Sequence, residues 1–431
     1  MVRRFSRGNF ARSKSLLAVA LFFISLSGCA SVETSPDPIP TEPPAEQSER
    51  PIVSQAQPAA PVDVMLPSIA PFDEAVIFAA HALFSQASMH PRPPSEDGKR
   101  PWVIQPLTDG VSGIQSTATR EIEARIAEFA GSKYPRFDLQ SFSAANVRKS
   151  PLVLVGTFTP VNEQGETTGK REAYRVCLAL ADLNSGTIAA KVTARAYMKG
   201  VDHSPTPYFR DSPAWMKGAL VDICQTSKPG GPIEANYLRG IVAATLIGEA
   251  ATAYDHGRYR EALDSYHNAL RSSTGNRLPI YNGLYLTNLK LGRQAAANEV
   301  FGKLVDHGLS QKQLAIKFIF KPGTATYWPD RQVSGSYSMW LKQIARRTIK
   351  SNSCLEITGH SSATGPEPLN ERLSQHRAEH IKKQLEVFSP QLRDRTIASG
   401  AGSRENLVGT GKDDLSDALD RRVVFHVHSC S

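Results

Sequence analysis

Three groups of residues in this chain have types and spacings suited to chemistry. His376, Glu379 and His380 form an H-x-x-E-H run, and a helix through them sets two imidazoles at i and i+4 on one face. That spacing can hold a zinc ion with the glutamate as base. Arg377 lies inside the same run; its planar guanidinium can take a carboxylate through two parallel hydrogen bonds. Upstream, Gly359-His360-Ser361-Ser362 offers an imidazole and two hydroxyls in a turn after an apolar strand. Cysteines form the third group: Cys29 near the start, then Cys177, Cys224, Cys354 and Cys430, which allow three pairings among the last four.

The first residues address the chain to a compartment. Arg3, Arg4, Arg7, Arg12 and Lys14 precede an apolar core from Leu16 to Ile24, and Leu26-Ser27-Gly28 leads to Cys29. This is a secretory signal peptide over 1–28, with a core too short to span a bilayer. Residues 29–70 carry nine prolines from Pro36 on and a net charge of −5, a composition that cannot bury a core. They are expected to form a disordered, proline-stiffened tether. At ~3.1 Å per residue, such a segment could reach roughly 120 Å. From residue 71 onward the net charge is +9, which suits an anionic neighbour.

The remainder predicts a multidomain α/β plus α fold. Over 71–235, Phe72, Val76, Ala79, Ala80, Leu83 and Ala87 share a helical face, and a second helix runs to about Phe129. Strands are expected at 102–104, 137–139 and 152–155, with a hairpin of 174–181 and 187–197 around Asn184-Ser185-Gly186. This order argues for an N-terminal α/β sandwich. It distantly resembles periplasmic lipoproteins that activate penicillin-binding proteins, and the related curli-secretion lipoprotein fold, in phrases such as Leu180-Ala181-Asp182-Leu183-Asn184-Ser185-Gly186. Over 236–310, Ala253, Gly257, Tyr259, Ala262, Tyr266, Ala269 and Leu270 resemble a tetratricopeptide helix pair. Gly292, Ala297 and Phe301 echo Gly257, Ala262 and Tyr266 thirty-five residues later. A plain helical spacer is the competing reading of that segment.

Over 311–431 a further α/β unit opens with Leu314–Phe320. Helices are expected around Tyr337–Ala345 and over 370–385, with Leu373, Ala378, Ile381 and Leu385 inward. Strands are expected at 355–358 and 422–428. Each pair Cys177–Cys224 and Cys354–Cys430 falls within one of these domains, which favours those disulfides in an oxidising periplasm over four free thiols.

Gly359-His360-Ser361-Ser362-Ala363-Thr364-Gly365, Asn370, Leu373-Ser374, Arg377-Ala378, Gly400-Ala401-Gly402 and Arg421-Arg422-Val423 together resemble the OmpA-like peptidoglycan-binding domain. That resemblance implies a C-terminal α/β sandwich in which the turn after Gly-His and the helix arginine hold diaminopimelate of the cell-wall stem peptide. It assigns His360, Ser361, Ser362, Asn370, Arg377, Arg421 and Arg422 to the site, with one of the two adjacent arginines supporting it and the other facing out. The family usually has Thr-Asp where this chain has Ser361-Ser362, so the carboxylate for the ligand's amine is replaced by a hydroxyl. The lost charge-assisted bond is worth about 1.5–3 kcal/mol; Glu367 or Glu371 can substitute if the loop brings either inward. The fold would also join the ends of two antiparallel strands at Cys354 and Cys430, a link typically worth ~2–4 kcal/mol.

Leu26-Ser27-Gly28-Cys29 resembles a bacterial lipobox, which implies a lipid on Cys29. Ala30 after it, rather than aspartate, implies the outer membrane, facing the periplasm. The H-x-x-E-H run resembles inverted zinc proteases, but Arg377-Ala378 is already accounted for by the cell-wall-binding helix. No G-x-S-x-G, P-loop or C-x-x-C is present, and the bases are not interleaved with aromatics as single-stranded nucleic acid requires. Glu121/Glu123 and Asp413/Asp414 read as solvated pairs. The leading expectation is therefore a non-enzymatic outer-membrane lipoprotein that needs no cofactor. It would bind peptidoglycan and present its other domains to a periplasmic protein. The alternatives are an adaptor whose OmpA-like domain has lost its ligand, and a zinc hydrolase.

Overall fold

The computed structural model describes residues 64–90, 97–215, 223–272, 277–329, 334–411 and 416–430. The signal peptide, Cys29 and the tether as far as residue 63 lie outside these residues, as do Asp413 and Asp414. None of the helices among the described residues is long and apolar enough to cross a membrane.

The first sheet has six strands: β1 (Val64–Ala70), β2 (Arg100–Ile104), β3 (Phe137–Gln140), β4 (Leu152–Val161), β5 (Ala173–Asp182) and β6 (Thr187–Tyr197). Their spatial order is β1-β6-β5-β4-β2-β3. Strand β1 corrects the expected tether, whose last seven residues form a strand parallel to β6 and paired with it at both ends. Pro67 is tolerated there because β1 is an edge strand whose register shifts between Met65 and Ile69. The alternation of β5 divides the interior. Val176, Leu178 and Leu180 face a core shared with α1 (Phe72–Met89) and α2 (Thr117–Lys133), while Cys177, Ala179 and Ala181 face the opposite layer. Helix α2 starts at a reciprocal cap: Thr119 N donates to the Ser116 hydroxyl, and Ser116 N donates to that of Thr119. Glu123, expected in solvent, instead accepts from Leu107 N at 2.6 Å and Gln115 Nε2 at 3.2 Å, and burial pushes its carboxyl up to about 7.

Three short helices follow in chain order, α3 (Ala144–Val147), α4 (Pro207–Asp211) and α5 (Ile223–Thr226). Then come four longer ones that pack in sequence: α6 (Ala235–Asp255), α7 (Tyr259–Ser272), α8 (Leu278–Lys290) and α9 (Gln294–Ser310). The thirty-five-residue echo has a physical basis. Gly257 and Gly292 both end a helix at positive φ, +73° and +71°, where a side chain would be strained. Ala262 and Ala297, then Tyr266 and Phe301, are fully buried at matching places. Helix α6 also covers the second face of the first sheet through Tyr237 and Ile241, beside the Cys177–Cys224 disulfide.

The C-terminal sheet contains β8 (Gln313–Ile316), β9 (Ser353–Gly359), β10 (Thr396–Gly400) and β11 (Val423–Ser429), with α10 (Tyr337–Lys350) and α11 (Glu367–Phe388) packed on it. Strand β11 lies antiparallel to both β8 and β9 and places His428 opposite Cys354, so the Cys354–Cys430 disulfide closes where the two strand ends meet. Helix α11 differs from expectation in its inward set. Leu373 is only half-buried, and Asn370, Ser374 and Arg377 turn inward with Ala378, Ile381 and Leu385.

The sheet's outer strand is β7 (Ala214–Trp215), from a segment expected to belong to the first domain; the order is β10-β9-β11-β8-β7. Beyond the strand pair, Asn282 of α8 accepts from Ala214 N and donates to Ala214 O. One apolar core runs without a break from α6–α9 into the C-terminal sheet. The boundaries expected at 235 and 310 are thus crossed by both hydrogen bonds and packing.

Candidate functional site

The end of β9 fixes the candidate site. A side-chain carbon on Gly359 would collide with the carbonyl of Ser374, and one on Gly400 with the backbone of Glu371 and Gln375. Glycine at these two places lets α11 lie directly on β9 and β10, which is the physical content of the Gly-His and Gly-Ala-Gly phrases. Backbone bonds then close the turn: His360 N donates to Arg422 O at 3.0 Å, Ser361 N to Gly402 O at 2.9 Å, and Ala401 N to Gly359 O at 2.9 Å. Gly402 N donates to Ser374 Oγ at 2.9 Å, tying the turn to the helix. Asn370 Nδ2 reaches Gly365 O at 3.3 Å and Ser403 Oγ at 3.5 Å. Asn406, with its amide nitrogen facing them, donates to the carbonyls of Ser361 and Ser403. These bonds bring His360, Ser361, Asn370 and Arg422 to one turn region, and all seven residues assigned from the sequence are buried.

Arg377 departs most from expectation. Expected to face a ligand, it is only 1% exposed. Nε donates to Thr324 O at 3.1 Å and Nη2 to Lys321 O at 3.4 Å, with the guanidinium carbon 5.0 Å from the Phe320 ring centre. The covering segment is a tight hairpin: Phe320 bridges Tyr327, and Lys321 N donates to Thr326 O at 2.9 Å. It presents to a cation what a ligand carboxylate would, at lower charge.

The other expected contacts also change character. His360 is held neutral, pushed down to about 2 by burial, with Arg422 and His426 adding to the effect. Arg421 and Arg422 are both buried, so neither faces out. Arg422 Nη2 donates to Glu405 O at 3.1 Å, and burial lowers its guanidinium to about 10, still charged at neutral pH. Glu367 accepts from Ser403 N at 3.1 Å and pairs with Arg404 at 3.3 Å; Glu371 pairs with Arg404 at 3.4 Å. These two acids are engaged by the 403–404 turn.

Two contributors escaped the sequence reading. One is the hairpin over Arg377, signalled by Pro322-Gly323 between aromatic residues. The other is Asp420, beside the recognised Arg421-Arg422. Its carboxylate accepts from Leu407 N (2.7 Å), Val408 N (2.9 Å) and Gly409 N (2.7 Å). Burial, then the nearby Asp417, pushes it up to about 6. Leu407, Val408 and Leu419 pack against Ile114, and Arg171 supplies positive charge near Asp420, so the first domain braces this wall of the site.

The H-x-x-E-H residues do not converge. His376 is exposed, Glu379 accepts from Gln375 Nε2 at 3.0 Å, and His380 meets the Tyr327 ring edge-on at 5.0 Å. Among the described residues no group of three or more His, Cys, Asp or Glu is placed to hold a metal ion.

No protein-family model matches the chain, and no curated protein does. Among solved structures it is similar to the peptidoglycan-associated lipoprotein of Burkholderia pseudomallei, at 22% identity over 26% of this chain and 89% of that one, TM-score 0.22. It is also similar to the cell wall anchor of the T6SS from Pseudomonas aeruginosa, at 22% identity over 30% and 94%, TM-score 0.23. The periplasmic domain of Helicobacter pylori MotB is matched at 12% identity over 28% and 76%, TM-score 0.23.

Proposed function

We propose that this chain is a peptidoglycan-binding envelope protein, lipidated at Cys29 and held in the outer membrane facing the periplasm. Its C-terminal domain would grip the stem-peptide diaminopimelate non-covalently. Its first domain and its tetratricopeptide-like helices would meet a periplasmic protein. The observation that supports the reading is the close packing of α11, the helix that carries Arg377, on the Gly359 strand end, with Gly402 N of the neighbouring turn donating to Ser374 Oγ. A helix-borne guanidinium is suited to a carboxylate, and the hydroxyls of Ser361 and Ser362 would be the acceptors for its neighbouring amine. Retention of the protein by purified sacculi tests it: Arg377→Ala should release the chain, and Ser362→Asp should strengthen binding by restoring a partner for the amine. Equal retention of the wild type and Arg377→Ala would remove the proposal. Mislocalisation of Cys29→Ala from the membrane fraction is the matching test of the anchor.

The burial of Arg377 beneath Lys321 and Thr324 favours a second reading, an adaptor whose wall-binding fold is structural only. In that case sacculi retain neither form.

A further inference from the structure

Residues 321–326 form a self-contained unit at the surface. Lys321 N and Thr326 O pair across its base, Thr324 N and Oγ1 both donate to Lys321 O, and Thr326 N donates to Thr324 Oγ1. Lys321, Pro322, Gly323, Thr324 and Thr326 are exposed. The side chains that anchor the hairpin are at its ends. Phe320 is fully buried, and Tyr327 packs against Phe318, Phe320, Tyr337 and His380. Between those anchors, Arg377 reaches the hairpin through donations to two backbone carbonyls.

We infer that this hairpin is a strap that occupies the Arg377 guanidinium until a carboxylate displaces it, making the site self-inhibited at rest; this rests on the peptidoglycan reading above. The exchange is chemically balanced. Two N–H groups give up neutral carbonyl acceptors and gain charged oxygens, and bonds to a charged acceptor are roughly twice as strong. The released carbonyls of Lys321 and Thr324 turn to water, which costs little on an exposed hairpin. A ligand that must first lift the strap binds with an affinity reduced by the fraction of open molecules. Gly323, at φ +67°, forms the tip, and Trp328, 40% exposed, flanks the hairpin as a reporter.

The test uses the full chain and a soluble tetrapeptide carrying diaminopimelate. Replacing Pro322–Ala325 by Asn-Gly keeps the Lys321–Thr326 pair, makes a two-residue hairpin and removes the Thr324 carbonyl. The trimmed protein should bind about tenfold more tightly than the wild type, and the gain should vanish when Arg377→Ala is added. If wild-type binding depends on Arg377 but trimming leaves the Kd unchanged, the strap is wrong and the binding reading stands. If neither wild-type nor trimmed protein shows Arg377-dependent binding, both fall. Fluorescence of the unaltered chain is independent of how well the variant folds. Saturating tetrapeptide should shift the emission of the exposed Trp328 beside the hairpin, and Arg377-dependent binding with unchanged emission overturns the strap.

Discussion

Two charges buried in the C-terminal domain each hydrogen-bond to the backbone of a loop, and the two loops differ in what stands behind them. Asp420 draws three amides of residues 407–409 onto one carboxylate, and that loop is backed by Ile114 and by the charge of Arg171 from the first domain. Arg377 draws two carbonyls from a hairpin whose outer side chains are exposed. Burying a charge demands partners in both cases. The anion's partners are packed into a wall, whereas the cation's sit on a flap. One arrangement reads as a fixed support of the site and the other as its movable part.

The contrast can be broken by experiment. The largest effect is expected for Asp420→Ala, which leaves three buried amides without their acceptor and should cost about 3–5 kcal/mol in urea unfolding. Arg377→Met keeps apolar bulk over Phe320 and frees carbonyls that can hydrate, so its cost should be smaller, about 1–2 kcal/mol. A reversed order would show that the hairpin, not the 407–409 loop, is the fixed element. The pH dependence sharpens the point. Asp420 and Glu123 have folded-state values raised to about 6 and about 7. Their contributions are therefore fully present below about pH 4 and lost as pH climbs through those values. The thermal midpoint should fall between pH 4.5 and 7.5, and Glu123→Gln should reduce that fall by roughly 1–2 kcal/mol in stability; an equally steep fall in this variant would mean that Glu123 ionises normally. The smallest effect is expected for Arg404→Ala, whose pairs with Glu367 and Glu371 are exposed, at under about 0.5 kcal/mol by the same unfolding measurement.

Much of the scaffold was readable from local pattern. Val76, Ala79, Ala80 and Leu83 repeat at helical spacing and are fully buried, and the Asn184-Ser185-Gly186 turn joins β5 to β6. The elements that were missed are those decided by distant partners. Strand β1 forms on a proline-containing segment because β6 offers an edge, and β7 is only two residues long. The Gly-His and Gly-Ala-Gly phrases marked where α11 packs on the strand ends. The burial of Arg377 was not legible. Arg377 points inward because Gly359 and Gly400 bring α11 close, and its cover comes from a hairpin some fifty residues earlier in the chain. Neither fact is encoded in the spacing around Arg377 itself.

Because Ala214 and Trp215 complete the outer edge of the last sheet, with Asn282 tying that edge to α8, the C-terminal unit is not a cassette that can be transplanted from residue 311. Excised there, it would bare the flank of β8 and invite association with other chains. Protease nicking between residues 226 and 235 of the intact protein would, conversely, leave two pieces still stitched through a common sheet.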